Sequence, residues 1–154
     1  MGFRISGLPA AQFAHWFALD DAALAARNAV RRTVDAPHAF PCRISLTDAE
    51  VGDEVLLINY EHQPVDSPYR SRHAIYIRRD EAMFDAIDSV PEMLRRRLLS
   101  LRAFDADGMM TGADVVDGRE LEGGIERLFA DGRAAYLHVH FARPGCYAAR
   151  VDRA

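Results

Sequence analysis

Ala134-Ala135-Tyr136-Leu137-His138-Val139-His140-Phe141-Ala142 is the stretch of sequence that decides the fold class. Apolar and polar residues alternate along it with period two, which is typical of a β-strand with one buried face. One face carries only apolar side chains and the other carries a tyrosine and two histidines: Ala135, Leu137, Val139 and Phe141 against Tyr136, His138 and His140. The stretch therefore predicts a sheet that packs on a core through its apolar face.

Other elements follow outward from this strand. Apolar or alternating runs predict strands over 3–6, 29–34, 42–46, 55–58, 73–79, 98–105, 109–116 and 146–151. Helical spacing and capping signals predict helices over 10–18, 21–27, 80–87 and 121–129, one opening at Pro91, and a helical turn at 47–50. Because strands do not alternate regularly with helices, the sequence predicts an α+β fold rather than a doubly wound one. We expect one domain over residues 1–154, with helices packed on a mostly antiparallel or mixed sheet.

Size, charge and cysteine content restrict the class of protein. A chain of 154 residues with 49% hydrophobic residues forms a sufficient core without a disulfide or structural metal. Its net charge of −4, with mixed signs, argues against a nucleic-acid partner. No apolar run is long enough for a signal peptide or a membrane span. With only two cysteines, the sequence predicts a soluble cytoplasmic protein with free thiols.

Every basic residue in the chain is an arginine. Chemistry that needs a lysine is thereby excluded, including Schiff bases, pyridoxal phosphate bound through lysine and the P-loop. The sequence requires no cofactor. An anionic partner must be held by arginine, histidine or backbone N–H groups, and arginine suits planar carboxylates and phosphates.

His138 and His140 are the sharpest candidates for chemistry. At i and i+2 on a strand their imidazoles project from one face, about 7 Å apart at the backbone. That spacing fits two ligands of one zinc or iron ion, or a catalytic base beside a binding group. A third ligand would come from elsewhere, with His62, Cys42, Cys146 or Glu61 as candidates. Two ordinary histidines on a half-buried sheet face remain the alternative.

A second set of candidates consists of cysteines and a polar segment. Cys42 lies beside Arg43, which would favour a nucleophile, but it also shares a strand face with apolar residues, which favours an inert thiol. Cys146 follows a turn whose register the sequence leaves open. The segment 61–72 is predicted to be a functional or mobile loop. The residues at its end, Tyr69, Arg70 and Arg72, could bind a carboxylate or phosphate, and His62 at its start is a further candidate binding residue.

Several segments together resemble an uncharacterised bacterial family, the domain of unknown function 1203. They are Phe3-Arg4-Ile5-Ser6-Gly7-Leu8, Phe40-Pro41-Cys42-Arg43, residues 57–64, Tyr69-Arg70-Ser71-Arg72-His73-Ala74-Ile75, Ser100-Leu101-Arg102 and His138 through Tyr147. The resemblance runs nearly end to end and implies a bacterial source. It implies no activity and assigns no catalytic residues.

Three functions stay open from the sequence. The first is an enzyme on a small anionic metabolite, with Cys42, His138 or His140 as catalytic groups and His62, Tyr69, Arg70, Arg72 and Cys146 as binding groups. A variant of it uses a metal on His138 and His140. The second is a binding module for the same class of ligand. The third is an interaction protein, such as a homo-oligomer formed through an exposed strand edge, whose polar cluster is structural.

Overall fold

The computed structural model describes residues 2–154, which form eleven strands and three α-helices. The strands are β1 Phe3–Ser6, β2 Val30–Thr33, β3 Pro41–Cys42, β4 Thr47–Asp48, β5 Glu54–Gln63, β6 Ser71–Arg78, β7 Asp85–Ile87, β8 Leu98–Phe104, β9 Met110–Asp117, β10 Tyr136–Phe141 and β11 Tyr147–Arg153. The α-helices are α1 Asp21–Ala26, α2 Glu92–Arg95 and α3 Leu121–Phe129. Short 3₁₀ helices cover Ala10–Gln12, Ala14–Ala18 and Gly118–Glu120.

The strands form two sheets, so the fold class is α+β. The first has six strands in the order β7-β1-β11-β10-β8-β9, all antiparallel. The second has five, in the order β2-β5-β6-β3-β4, and is mixed because β3 runs parallel to β6. The predicted strand at 134–142 is β10, which lies inside the six-stranded sheet.

Helix α3 covers the apolar face of the six-stranded sheet. It buries Leu121, Ile125 and Phe129 in the same core cluster as Leu137 and Val139 of β10. The helix lies close to the sheet, since a Cβ on Gly124 would come within 2.7 Å of the Leu101 Cδ1 atom. This contact explains a glycine that is otherwise unfavourable inside a helix by about 1 kcal/mol.

The second core cluster lies on the five-stranded sheet. It includes Leu56 and Ile58 of β5 together with Ile75 and Ile77 of β6, and Tyr147 of β11 joins it from the other sheet. The second sheet thus meets the face of β10 and β11 that α3 leaves uncovered. His138 and His140 point into this junction.

Two predicted helices are wrong. Residues 10–18 form two 3₁₀ helices, because the backbone bonds at Phe13 and Trp16 close three-residue turns that place Phe13 in the second core cluster. Residues 80–87 contain no helix. Asp80 has a left-handed φ of 59°, and the chain then runs as the edge strand β7 along β1, which satisfies its backbone groups.

Three further boundaries differ from the prediction. The strand expected at 42–46 ends at Cys42, because the chain turns back with the Leu46 N–H bonded to the Cys42 carbonyl at 3.1 Å. Residues 47–50 are not helical, since Thr47 begins β4 and its hydroxyl bonds Ser45 instead of capping a turn. Strand β5 continues to Gln63 and β6 begins at Ser71, so the long loop shrinks to residues 64–70.

Within residues 2–154, no helix is both long and apolar enough to cross a membrane.

Candidate metal centre

Three histidines from two sheets meet in the junction between the sheets. His138 and His140 lie on β10, and His62 lies near the end of β5. Each ring offers one nitrogen as a possible ligand atom, and these three nitrogens all lie within 4.8 Å of one another. All three side chains are buried, with relative exposures of 2%, 0% and 8% for His138, His140 and His62.

A β-bulge places His62 in the junction. Tyr60 pairs with His73 and Gln63 pairs with Ser71, so β5 has one residue more than β6 between these pairs. A bulge re-aims side chains at the end of a strand, and here both His62 and Gln63 are buried. The Gln63 side-chain amide donates to the Tyr136 hydroxyl at 2.9 Å, which ties β5 to β10 across the junction.

A second bulge, on β11, places an aromatic ring over His62. Val139 pairs with Ala149 and His140 pairs with Tyr147, so β11 carries the extra residue. The Tyr147 ring stacks on the His62 ring at a centroid distance of 4.9 Å. The same tyrosine lies edge-on to His138 at 5.0 Å. These rings fill the space around the histidines and limit their movement.

Three buried ring nitrogens in this cluster have no hydrogen-bond partner among the described residues. They are Nδ1 of His62, Nδ1 of His138 and Nε2 of His140. Buried polar atoms without a partner are rare in folded proteins, and a bound water or ion is one of the explanations for them. Three in one cluster, on the side chain that most often binds metals, point to a shared ligand.

The opposite nitrogens of two of these rings are held. His140 Nδ1 lies 3.0 Å from the Gly145 carbonyl oxygen and donates its proton there, which leaves Nε2 with a free lone pair. His62 Nε2 lies 2.6 Å from His73 Nδ1. When His62 Nε2 is the donor of that bond, Nδ1 of His62 carries the free lone pair. Metal-binding histidines typically have their other nitrogen fixed in this way.

Electrostatics keeps the three rings neutral. Burial lowers the pKa of His138 to about 2 and the pKa of His62 to about 3. Burial also lowers the pKa of His140 to about 4, although its bond to Gly145 acts in the opposite direction. A histidine must be neutral to bind a metal, so all three are in the binding form at neutral pH.

Arg102 adds a positive charge next to the cluster. It pairs with His138 across β8 and β10, so the two side chains share a face of the sheet. Its charge contributes to lowering the pKa of each of the four clustered histidines: His62, His73, His138 and His140. Its guanidinium is half-buried and makes no hydrogen bond or ion pair within residues 2–154. A cation in this position is suited to an anionic ligand.

The comparison with protein families assigns the chain to a family without assigning it a function. Residues 39–153 match the family described as "Protein of unknown function (DUF1203)". The chain belongs to the DUF1203 family. No curated protein and no solved structure matches the chain. The histidines of the candidate centre and Arg102 all lie within the part of the chain that the DUF1203 model covers.

The predicted clamp of this DUF1203 protein lies on the surface, and both of its arginines pair with a glutamate of β5. Arg70 and Arg72 both pair with Glu61, at 3.0 Å and 3.1 Å. These contacts also occupy the Glu61 carboxylate, which was one candidate for the third metal ligand. Tyr69 is exposed and packs edge-on against Phe104. A ligand-binding role for these residues stays a prediction.

The two cysteines of this DUF1203 protein lie in different environments, and both are free. Cys42 is fully buried in the apolar cluster of the five-stranded sheet, which disfavours a nucleophilic role. Cys146 is partly exposed, and its sulfur accepts a hydrogen bond from Arg43 at 3.0 Å. Neither sulfur lies in the group of three possible ligands, which consists of histidines alone.

Two residues of the cluster were not among the predicted site residues. His73 is the first residue of the strand predicted after the loop, but its contact with His62 depends on the bulge in β5, which no sequence signal marks. Arg102 carries no motif of its own. Its position follows only from the register of β8 against β10, which places it opposite His138.

Proposed function

We propose that this domain holds one divalent transition-metal ion on His62, His138 and His140 and presents it to a small anionic ligand beside Arg102. The observation that carries the proposal is a group of three buried histidines that can bring one ring nitrogen each within 4.8 Å of the others, and in each of which one ring nitrogen has no partner among the described residues. Imidazole suits zinc, iron, copper and nickel. To bind one ion at about 2.1 Å, the three nitrogens would have to close from separations of up to 4.8 Å.

Three protein ligands leave a coordination position open. That arrangement is typical of catalytic zinc sites, whereas structural zinc sites usually have four protein ligands. A metal at such a position acts as a Lewis acid on an oxygen of a bound water or substrate. The Arg102 guanidinium would hold and orient the anionic part of that substrate. We therefore favour a metal-dependent enzyme over a pure binding module.

The cellular setting is part of the same proposal. We propose that this is a bacterial cytoplasmic protein. The free state of both cysteines supports the cytoplasm, and the resemblance of the sequence to a bacterial family supports the source. A reducing compartment would keep Cys146 as a thiol.

Titration of chelator-treated protein with Zn²⁺ tests the metal site. Isothermal calorimetry should give one ion per chain. Alanine at His138 or His140 should weaken binding more than the roughly 10–100-fold that follows loss of a ligand's hydrogen-bond partner. His15→Ala is the matched control, because His15 is an exposed histidine outside the cluster. Absence of binding, or an equal loss in the control, would reject the proposal.

A further inference from the structure

A cavity of about 540 Å³ lies among the turns that follow β3, α2 and β10. Arg43 and Cys146 line it, together with three more arginines: Arg96, Arg97 and Arg143. None of the three histidines of the candidate metal centre, nor His73 beside them, is among its lining residues. It is therefore a separate site.

Arg43 is the unusual residue of this cavity, because it is 1% exposed and has no carboxylate partner within residues 2–154. Its guanidinium donates to the carbonyl oxygens of Tyr147 at 2.8 Å and Pro41 at 2.6 Å. Its remaining nitrogen donates to the Cys146 sulfur at 3.0 Å. Burial lowers its pKa, which reflects the cost of keeping this charge away from water. Buried charges normally have an opposite charge nearby.

The rest of the lining adds positive charge. Arg97 is neutralised by Asp48 at 2.6 Å. Arg143 has no charged partner among the described residues, and Arg96 reaches Glu92 only at 3.9 Å. Asp117 is the one carboxylate that lines the cavity, and it already pairs with Arg119 at 2.8 Å. The cavity therefore has an excess of cations.

We infer that this cavity binds a small metabolite with a carboxylate or phosphate group, placed between Arg43, Arg96 and Arg143 and against the Cys146 thiol. The unbalanced buried charge of Arg43 supplies the attraction, and planar guanidinium groups match such oxyanions. The partly apolar wall, which includes Phe141 and Pro144, would accommodate the carbon part of the ligand. The inference does not depend on the metal centre.

Alkylation of Cys146 by a charged and a neutral reagent tests the inference. Iodoacetate and iodoacetamide both place a carbon on the sulfur: a C–S bond forms, the C–I bond breaks, iodide leaves and the thiol proton goes to solvent. Rates are followed by mass spectrometry on native protein and on the same chain in denaturant. Cys42 is buried and should react only after unfolding, and Cys146→Ser should remove the native label.

The ratio of the iodoacetate rate to the iodoacetamide rate is the readout. It should be about tenfold or more higher in the native protein than in the denatured chain, because a positive pocket concentrates the anion. Added sodium chloride and inorganic phosphate should lower it. Arg143→Gln and Arg96→Gln should lower it as well, whereas Arg133→Gln, an exposed residue paired with Asp131, should not. An unchanged native ratio, or an equal effect of Arg133→Gln, would overturn the inference.

Discussion

His140 donates its Nδ1 proton to the Gly145 carbonyl oxygen at 3.0 Å, and this one bond decides which nitrogen of His140 is free. The bond exists because the turn after β10 folds back on the strand, with the Gly145 N–H bonded to the Phe141 carbonyl at 2.8 Å. Gly145 has a φ of +82°, which favours glycine. The neighbouring Cys146 lines the arginine-rich cavity, so one turn contributes to both proposed sites.

Gly145→Ala should weaken zinc binding by about tenfold, within the range seen when a ligand loses its hydrogen-bond partner. Alanine in the left-handed region costs about 1–2 kcal/mol, so the turn relaxes and the carbonyl moves away from His140. Calorimetric titration with Zn²⁺ measures the effect. Gly132→Ala is the control, because Gly132 is exposed and has space for a Cβ. Unchanged affinity in Gly145→Ala would mean that this bond does not support the centre.

Metal-free protein should lose stability as the pH falls from about 6.5 towards 4. The pKa values of His62, His138 and His140 in the folded state are about 3, 2 and 4, below the unfolded value near 6.5. The unfolded chain therefore binds more protons in this window, and the stability that is fully present above pH 6.5 is lost on acidification. Each histidine contributes up to about 1.4 kcal/mol per pH unit.

Urea unfolding of chelator-treated protein at several pH values measures this loss. Hydrogen bonding from Arg133 lowers the pKa of Asp131 to about 2, so the contribution of this carboxylate is lost mostly below about pH 4, at the lower end of the window. His138→Gln should reduce the slope between pH 6.5 and 4.5, and His15→Ala should leave it unchanged. A flat profile in this window would contradict the description of the cluster as three buried neutral rings.

Arg102→Gln should retain the metal but bind anions less well. A charge-assisted hydrogen bond contributes about 1.5–3 kcal/mol, which corresponds to roughly tenfold or more in affinity. Azide added to cobalt-loaded protein provides a readout at the metal itself, through the visible spectrum. Arg32→Gln is the control, since Arg32 is exposed and lies on β2, at the edge of the other sheet. Equal azide affinity in wild type and Arg102→Gln would remove Arg102 from the site.

The double substitution Arg70→Ala, Arg72→Ala should have little effect on the stability of the protein or on azide binding at the metal. Both side chains are 55% exposed and pair with the same carboxylate, Glu61. Exposed ion pairs contribute about 0–1 kcal/mol to stability. Denaturant unfolding and the azide titration should therefore stay close to wild type. Loss of azide binding here, with Arg102→Gln unaffected, would restore the anion clamp predicted from the sequence.

The sequence predicted the parts of the fold that depend on local periodicity. The alternation around His138 and His140 correctly predicts a strand with its histidines on one face, and the spacing of Leu121, Ile125 and Phe129 correctly predicts α3. Asp20 caps α1 as expected, accepting from the Ala23 N–H at 2.8 Å. These features are determined by residues close together in the chain.

The parts that failed depend on contacts between distant segments. Residues 80–87 have a helical pattern, but pairing of β7 with β1 prevails over it. Arg43 lies in the strand predicted over 42–46, yet the chain turns at this point and buries it against Cys146 and Tyr147. The association of His62 with His138 needs two bulges and the packing of one sheet on the other. Local pattern contains none of this information.

X-ray absorption at the zinc edge of the loaded protein tests the central claim most directly, because it counts the ligand atoms around the ion. The proposal predicts one zinc per chain with three imidazole nitrogens at about 2.0–2.1 Å and no sulfur near about 2.3 Å. His140→Ala should remove one imidazole from this count or release the ion. A sulfur ligand, or the absence of stoichiometric zinc after loading, would contradict the three-histidine centre.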